Sequence, residues 1–161
     1  MPCFGNETEI ESVLGISYED CHQNCAGPSY VGKNVFTDDV PETTYRQIWI
    51  GNPNTAPQKF RITFNCELMT IKSVTLRNSG SRNDLCNTKD FRINVREPNS
   101  PQWNAFVAGA LSDPVGQNPP PLETFTGNQV VIEELEFICL SSHPGSRINL
   151  SYCALNYIGF A

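Results

Sequence analysis

The sequence has little charge and few of the residues on which enzymes rely. Charged residues make up 17% of the 161, and the only histidines are His22 and His143. No G-x-S-x-G, H-E-x-x-H or glycine-rich phosphate loop occurs, so there is no recognisable nucleophile, zinc or nucleotide motif. A carboxylate pair such as Glu133 and Glu134 is more typical of a solvated strand end than of acid–base catalysis. We therefore expect a protein without enzymatic activity.

Long apolar runs and an excess of basic residues are also missing. No apolar stretch approaches the roughly 20 residues that span a bilayer. The formal net charge of −6 opposes binding to a nucleic-acid backbone, because such binding depends on Lys and Arg displacing counterions. The opening Met-Pro-Cys-Phe has neither the basic nor the apolar stretch of a secretory signal. We expect an exported protein whose signal is not part of this sequence, with no transmembrane segment and no nucleic-acid partner.

The seven cysteines indicate an oxidising compartment. They are dispersed and form no C-x-x-C pair, which argues against a zinc site and favours disulfides in a secreted or extracellular domain. The sequons at Asn6 and Asn149 agree with this location. An odd number leaves one thiol unpaired in the chain or paired outside it, and spacing does not fix the connectivity. We predict a pair between Cys3 and Cys153, near the two termini.

Most of the chain alternates apolar and polar side chains, which is typical of β-strands. Every second residue is apolar in Phe60–Cys66, and Phe91–Val95 repeats the pattern. The proline-rich segment Asp113–Leu122 predicts an exposed loop. Trp49 and Trp103 lie in apolar strands, and we expect both to pack in the core. The alternative is that they are stacking platforms for a ligand. The predicted strands cover residues 45–50, 60–66, 71–76, 91–95, 103–111, 130–132, 135–139, 148–150 and 154–160.

These strands predict one all-β domain built as an antiparallel β-sandwich. Seven or eight short strands with turns about every ten residues require two facing sheets, because a single open sheet would leave one apolar face in water. Short connections favour antiparallel pairing. Residues 1–34, with three cysteines, are expected to form a helical or irregular extension packed on the sandwich of residues 35–161.

The order of the segments resembles the discoidin, or coagulation-factor C-type, domains of the galactose-binding-like superfamily. The resemblance covers roughly residues 30–160. It implies a jelly-roll sandwich that binds its ligand through loops at one end. The segments that carry it are Val35–Asp39, Thr44, Trp49, Phe60–Asn65, Ile71–Arg77, Phe91–Val95, Trp103–Phe106 and Leu155–Phe160.

Arg82-Asn83-Asp84 followed by Lys89 is similar to an R-x-D-x4-R/K pattern of the fucose-binding lectins in this superfamily. In those lectins the basic residues hold sugar hydroxyls and an upstream His completes the site, where this sequence has Thr55. The resemblance implies a sugar-binding loop here, with the turn that begins at His143 near the same end. The alternatives are a solvated loop and a surface histidine without function. The predicted ligand-binding residues are Arg77, Arg82, Asp84, Lys89, His143 and Arg147.

The acidic turn also predicts a structural calcium site. Many relatives bind calcium there through an Asp side chain, a Thr oxygen, backbone carbonyls and a Glu on the last strand, and hard oxygen ligands of this kind suit the ion. The resemblance implies that Asp38, Asp39, Thr44 and Asn156 are ligands, with Asn156 at the position of the Glu. The alternative is an ordinary acidic turn.

These features predict an extracellular recognition module that binds a glycan or glycoprotein through its loops. The alternative is a protein-interaction or adhesion domain of a matrix or cell-surface assembly, with another extracellular protein as the partner and no sugar pocket. An intracellular scaffold is favoured only if the cysteines are reduced.

Overall fold

The computed structural model describes residues 15–16, 49–50, 57–64, 69–78, 87–114, 117, 120–143 and 153–161. None of these residues belongs to a helix long and apolar enough to cross a membrane. Their secondary structure consists of strands. The strands are β1 Gly15–Ile16, β2 Trp49–Ile50, β3 Gln58–Thr63, β4 Met69–Arg77, β5 Asp90–Arg96, β6 Trp103–Ala110, β7 Glu123–Ile132, β8 Glu134–Cys139, β9 Ala154–Leu155 and β10 Tyr157–Phe160.

The strands form antiparallel sheets, which confirms the predicted all-β class. One sheet has the strand order β1-β3-β8-β5-β6, a second the order β10-β4-β7, and β2 pairs with β9. Every pairing is antiparallel. β1 places Gly15–Ile16 beside β3, whereas the rest of residues 1–34 lies outside the described ranges. The predicted strand at 148–150 lies outside them too.

The core lies between the five-stranded and three-stranded sheets and contains a chain of aromatic contacts. The ring of Phe60 lies 5.0 Å from Trp49 and 5.2 Å from Phe137 between centroids. Phe91 stacks on Phe137 at 5.8 Å and meets Phe125 edge to face at 4.8 Å. Because Phe125 belongs to β7, this last contact joins the two sheets. Offset and edge-to-face arrangements of this kind are the favourable ones for aromatic pairs.

Trp103 lies outside this core, so its predicted core position is wrong, whereas that of Trp49 is confirmed. One extra residue, Phe106, is inserted in β6 where that strand pairs with β5. A bulge reverses the inward and outward alternation, so Trp103 pairs with Arg96 on the outer face. There it is half-buried, with the guanidinium carbon of Arg61 5.2 Å from its ring centroid. A strict period of two, continued through the bulge, gave the wrong face.

The disulfide joins Cys139 to Cys153, so the predicted Cys3–Cys153 pair is wrong. Cys139 ends β8 and Cys153 directly precedes β9. Both side chains are buried, with their Cα atoms 6.3 Å apart, within the range that a disulfide spans. Nearness of the chain ends was the basis of the prediction, whereas the structure brings together the end of β8 and the start of β9. The other five cysteines lie outside the described residues.

An ion-pair network covers the outer face of the five-stranded sheet at the β7–β8 turn. Arg96 donates from Nε to Glu134 at 2.8 Å and from Nη1 to Glu133 at 3.1 Å. Thr63 donates to the Glu134 carboxylate at 3.1 Å. Burial alone would raise the pKa of Glu134, but the hydrogen bonds from Arg96 and Thr63, with the charges of Arg96 and Arg61 nearby, hold that pKa below its ordinary value of 4.5.

We expect Arg96→Met to reduce stability in a pH-dependent way. Since the pKa of Glu134 is lowered in the folded state, its contribution is present above about pH 4.5 and is lost as the pH falls through the folded-state value. The variant should lose about 0.5–1 kcal/mol at neutral pH and less near pH 3, measured by urea unfolding. The control is Arg92→Met. Arg92 is exposed on the same strand and has no ion pair among the described residues. If both variants lose the same free energy of unfolding at the two pH values, the ion pair between Arg96 and Glu134 does not contribute as proposed.

Removing the disulfide with the double variant Cys139→Ser/Cys153→Ser should destabilise the domain by about 3 kcal/mol, because the bond closes a short loop in the unfolded chain. The sequence separation of the two cysteines is 14. Urea unfolding of the variant against the oxidised protein measures the effect. Unchanged stability would show that the pair is not formed in the protein.

Candidate ligand-binding site

Strand direction brings several loops to one end of the sandwich. β4 ends where β7 and β10 begin, since Leu76 faces Glu123 and Arg77 faces Tyr157. β8 ends where β5 begins, since Cys139 faces Phe91. The loops that follow β4, β6 and β8 therefore leave from the same end. We call this end, with described residues 77–78, 87–90, 111–114, 117, 120–123, 140–143 and 153–156, the loop end.

Asn78 joins three segments of the loop end, those that contain residues 78, 88 and 112. The buried Asn78 amide donates from Nδ2 to the carbonyls of Thr88 at 2.9 Å and Ser112 at 3.3 Å. Its Oδ1 accepts from the Thr88 amide at 2.9 Å. Thr88, fully buried, donates its hydroxyl to the carbonyl of Ala154 at 2.8 Å. These backbone groups have no regular ladder to join, so the side chains of Asn78 and Thr88 satisfy them.

Lys89 and His143 lie on neighbouring antiparallel segments of the loop end. The Lys89 amide donates to the carbonyl of Ser141 at 2.9 Å, and the His143 amide donates to that of Asn87 at 2.8 Å. The His143 ring holds the carbonyl of Leu111 at 2.8 Å through Nε2. Because a carbonyl only accepts, Nε2 carries the proton, and Nδ1 is the acceptor of the neutral ring. The loop end thus holds His143 in one orientation beside the Lys89 segment.

The described carboxylates near this pair are held by serines. Asp90 accepts from the Ser141 hydroxyl at 2.5 Å. Glu123 accepts from the backbone amide of Ser112 at 3.1 Å and from its hydroxyl at 2.9 Å. Lys89, in contrast, is exposed and has no ion pair among the described residues. Its ammonium is therefore available as a charged donor at the loop end.

Arg77 is almost entirely buried at the loop end. Its side chain is only 7% exposed, and its Nε donates to the carbonyl of Pro120 at 3.0 Å. This placement favours support of the loop between β6 and β7 over contact with a ligand.

The other predicted site residues are only partly covered by the structure. Arg82, Asp84 and Arg147 lie outside the described residues, as do Asp38, Asp39 and Thr44 of the predicted calcium site. The segments 79–86 and 144–152 begin and end at described residues of the loop end. Asn156 is buried, and its backbone N–H donates to the Arg77 carbonyl at 2.9 Å. Within the described ranges, no group of three or more His, Cys, Asp or Glu side chains could hold a metal, and the calcium site stays a prediction.

Two leucines give the loop end an apolar surface that the sequence analysis missed. Leu122 and Leu140 are 42% and 55% exposed, and they are the exposed large apolar side chains of the described residues. Each directly adjoins a strand, Leu122 before β7 and Leu140 after β8. An apolar residue inside a proline-rich loop, as Leu122 is, was the available signal.

Asn78→Ala should destabilise the domain by about 2–3 kcal/mol, because the buried N–H and carbonyl of Thr88 both lose their partner. Thermal or urea unfolding measures the change. Asn104→Ala, which removes an exposed amide of β6, is the matched control and should cost little. If the two variants are equally stable, Asn78 does not fasten the loop end.

No protein-family model matches the sequence, and no curated protein matches it. Solved structures do match. The family 32 carbohydrate-binding module of Clostridium perfringens NanJ, in complex with galactose, has a TM-score of 0.67 at 12% identity, over 93% of this chain and 94% of that one. A CBM32 module from Clostridium perfringens in complex with GalNAc-β-1,3-galactose has a TM-score of 0.64 at 15% identity, over 91% and 94%.

Chitosan-binding module 1 from a chitosanase/glucanase of Paenibacillus sp. IK-5 has a TM-score of 0.61 at 11% identity, over 92% of this chain and 94% of that one. Identities this low carry the fold and not the function. The predicted discoidin-like jelly roll is therefore confirmed: this chain has the fold of the family 32 carbohydrate-binding modules.

Proposed function

We propose that this chain is a non-catalytic carbohydrate-binding module that takes a glycan at the loop end. Similar structures hold galactose, GalNAc-β-1,3-galactose and 4,5-unsaturated mannuronic acid, which makes sugars the first ligands to test. The observation that carries the proposal is the pairing of Lys89 and His143. An exposed ammonium donor and an oriented imidazole acceptor, on segments joined by backbone hydrogen bonds, suit a pair of sugar hydroxyls.

The exposed leucines support the same interpretation. A pyranose ring has apolar C–H faces as well as hydroxyls, so a site for it combines polar groups with apolar surface. Leu122 and Leu140 supply such surface at the loop end. Arg82, Asp84 and Arg147 belong to segments that start from this end, and we propose them as further ligand contacts. Arg77 and Asn78 hold the loops in place.

A binding role agrees with the matches to larger enzymes. In the structures of SpGH29 and of the Ruminococcus gnavus GH29 fucosidase E1_10125, the matched region is 26% and 25% of the other chain. The matched fold is thus about a quarter of each of those chains, which supports the proposal that it acts as an accessory domain. The Cys139–Cys153 disulfide supports an oxidising compartment, and we propose that the protein is secreted.

A glycan array with the labelled chain tests the proposal. Neutral glycans that end in galactose or GalNAc should bind, and Lys89→Ala and His143→Ala should each weaken the best ligand at least about tenfold, because a charge-assisted or oriented hydrogen bond is lost. Lys72→Ala is the matched control, since Lys72 is exposed on β4 away from the loop end. Melting temperatures of all variants should stay close to that of the parent.

The predicted calcium site is tested by melting temperatures measured with calcium chloride and with EDTA, for the parent chain and for the variant Asp39→Asn. Calcium should raise the melting temperature of the parent chain more than that of the variant. A silent array together with capture of a defined extracellular protein would instead favour the adhesion alternative and contradict the proposed glycan site.

A further inference from the structure

We propose a second glycan-binding surface, on the outer face of the five-stranded sheet, that takes an acidic sugar chain. It consists of Trp103, Arg61, Asn94, Lys59 and Arg92, and we call it the outer-face surface. It is built from regular strands and is separate from the loop end, so it does not depend on the function proposed above.

The bulge at Phe106 is what puts an aromatic ring on this face. If all residues of β6 alternated strictly, with no bulge at Phe106, Trp103 would lie on the inward side with Val107, whose partner Ile93 is buried in the core. With the bulge, Trp103 is half-buried outside the core. Bulges commonly re-aim a side chain near a functional surface. Because the Arg61 guanidinium lies over its ring, the exposed part of the Trp103 indole and this guanidinium together form the surface against which a pyranose ring would pack.

Polar groups next to Trp103 are held in place in advance. Arg61 donates from Nε to Glu136 at 2.8 Å, with its guanidinium carbon 5.2 Å from the Trp103 ring centroid. Asn94 donates to the other Glu136 oxygen at 3.5 Å. The Glu136 side chain lies between them and is only 8% exposed. The ion pair and the cation–π contact therefore fix guanidinium, amide and indole relative to one another, which lowers the entropic cost of binding.

Two further cations lie on the same face beyond this cluster. Lys59 and Arg92 both pair in register with Ile138 of the central strand β8. Neither has an ion pair among the described residues, and Arg92 is exposed. Arg96, the partner of Trp103, is four residues from Arg92 along β5, about 13 Å at the rise of a strand. The ring and the cation pair are thus far enough apart to contact different sugars of one chain.

The charge of this face favours an anionic ligand. Its described side chains include the four cations Lys59, Arg61, Arg92 and Arg96 and the four carboxylates Asp90, Glu133, Glu134 and Glu136, so this face is close to neutral, whereas the whole chain has a net charge of −6. The three glutamates are in ion pairs and Asp90 accepts from the Ser141 hydroxyl, which leaves Lys59 and Arg92 as the cations without an ion pair among the described residues. Uronic acids and sulfated sugars share the chemistry that fits, an anionic group on a pyranose ring. A single-stranded nucleic acid also carries anionic groups and stacks on aromatic rings, so it is the competing ligand that the test has to exclude.

Isothermal titration with two probes tests the proposal: an oligogalacturonate, which carries carboxylates, and a heparin oligosaccharide, which carries sulfates. At least one should bind the parent chain. Arg92→Glu and Trp103→Ala should each weaken that probe at least about tenfold, and added salt should weaken it further. Lys72→Glu, the same charge change at an exposed lysine of the other sheet, is the control and should change affinity less than about threefold.

Lys89→Glu separates this surface from the loop end. It should leave the acidic probe bound, and Arg92→Glu should leave binding of neutral glycans on the array unchanged. The proposal is overturned if neither acidic probe binds the parent chain, or if Lys72→Glu reduces binding as much as Arg92→Glu does. It is also overturned if Lys89→Glu abolishes acidic-probe binding and Arg92→Glu does not, or if a single-stranded DNA oligomer binds this face in preference to both sugars.

Discussion

The contact between Phe91 and Phe125 is the interaction on which the rest of the sandwich depends. It joins the two sheets, and through Phe137 it extends the aromatic packing to Trp49 and Phe60. The approach is close enough that a Cβ at Gly109 would lie 2.7 Å from the Phe125 ring, so glycine is required there. Because interiors of this kind are close-packed and hardly deformable, the ends of the strands are fixed relative to one another. The loops are therefore displayed from a rigid base.

The loop end extends that rigidity beyond the regular ladders. Asn78 and Thr88 are buried polar side chains whose partners are backbone groups of other segments. A fully satisfied polar network specifies one arrangement, since each lost bond would leave a buried group unpaired. The Cys139–Cys153 bond closes the segment that contains His143 and Arg147. A site made of loops can in this way be nearly as well ordered as one made of strands.

The sequence predicted the sandwich because the central strands have one buried and one exposed face. Inward and outward side chains alternate along β3 and β5. A period of two can be recognised from the local sequence alone. The first half of β7, from Glu123 to Gln129, was missed because it is an edge strand with threonines, a glycine and polar residues, and its inner side chains are only partly buried. What makes this segment a strand is its pairing with β4, and a local sequence pattern does not contain that information.

The site residues were predictable to the extent that they depended on strand order. The resemblance placed Lys89 and His143 at one end, and the strand directions bring them there. The resemblance also implied a ligand contact for Arg77. That side chain is buried and donates to the carbonyl of Pro120, which is distant in the sequence. The predictions for Trp103 and for the disulfide were wrong because each depends on a single local event. The extra residue in β6 is invisible to a strict period of two, and the return of the chain after β8 cannot be found from the nearness of the chain ends.

A rigid body that carries the two proposed surfaces has a consequence for affinity. Each surface offers a few hydrogen bonds and one apolar patch, which gives modest binding because lost translational freedom offsets most of the gain. When one polymeric glycan reaches both, the second contact forms at the high effective concentration that the fixed geometry sets. No flexible linker has to be ordered, since the aromatic core already fixes the two surfaces relative to each other. On a polysaccharide, the stiffness of the sandwich would then matter as much for retention as the contacts of either surface.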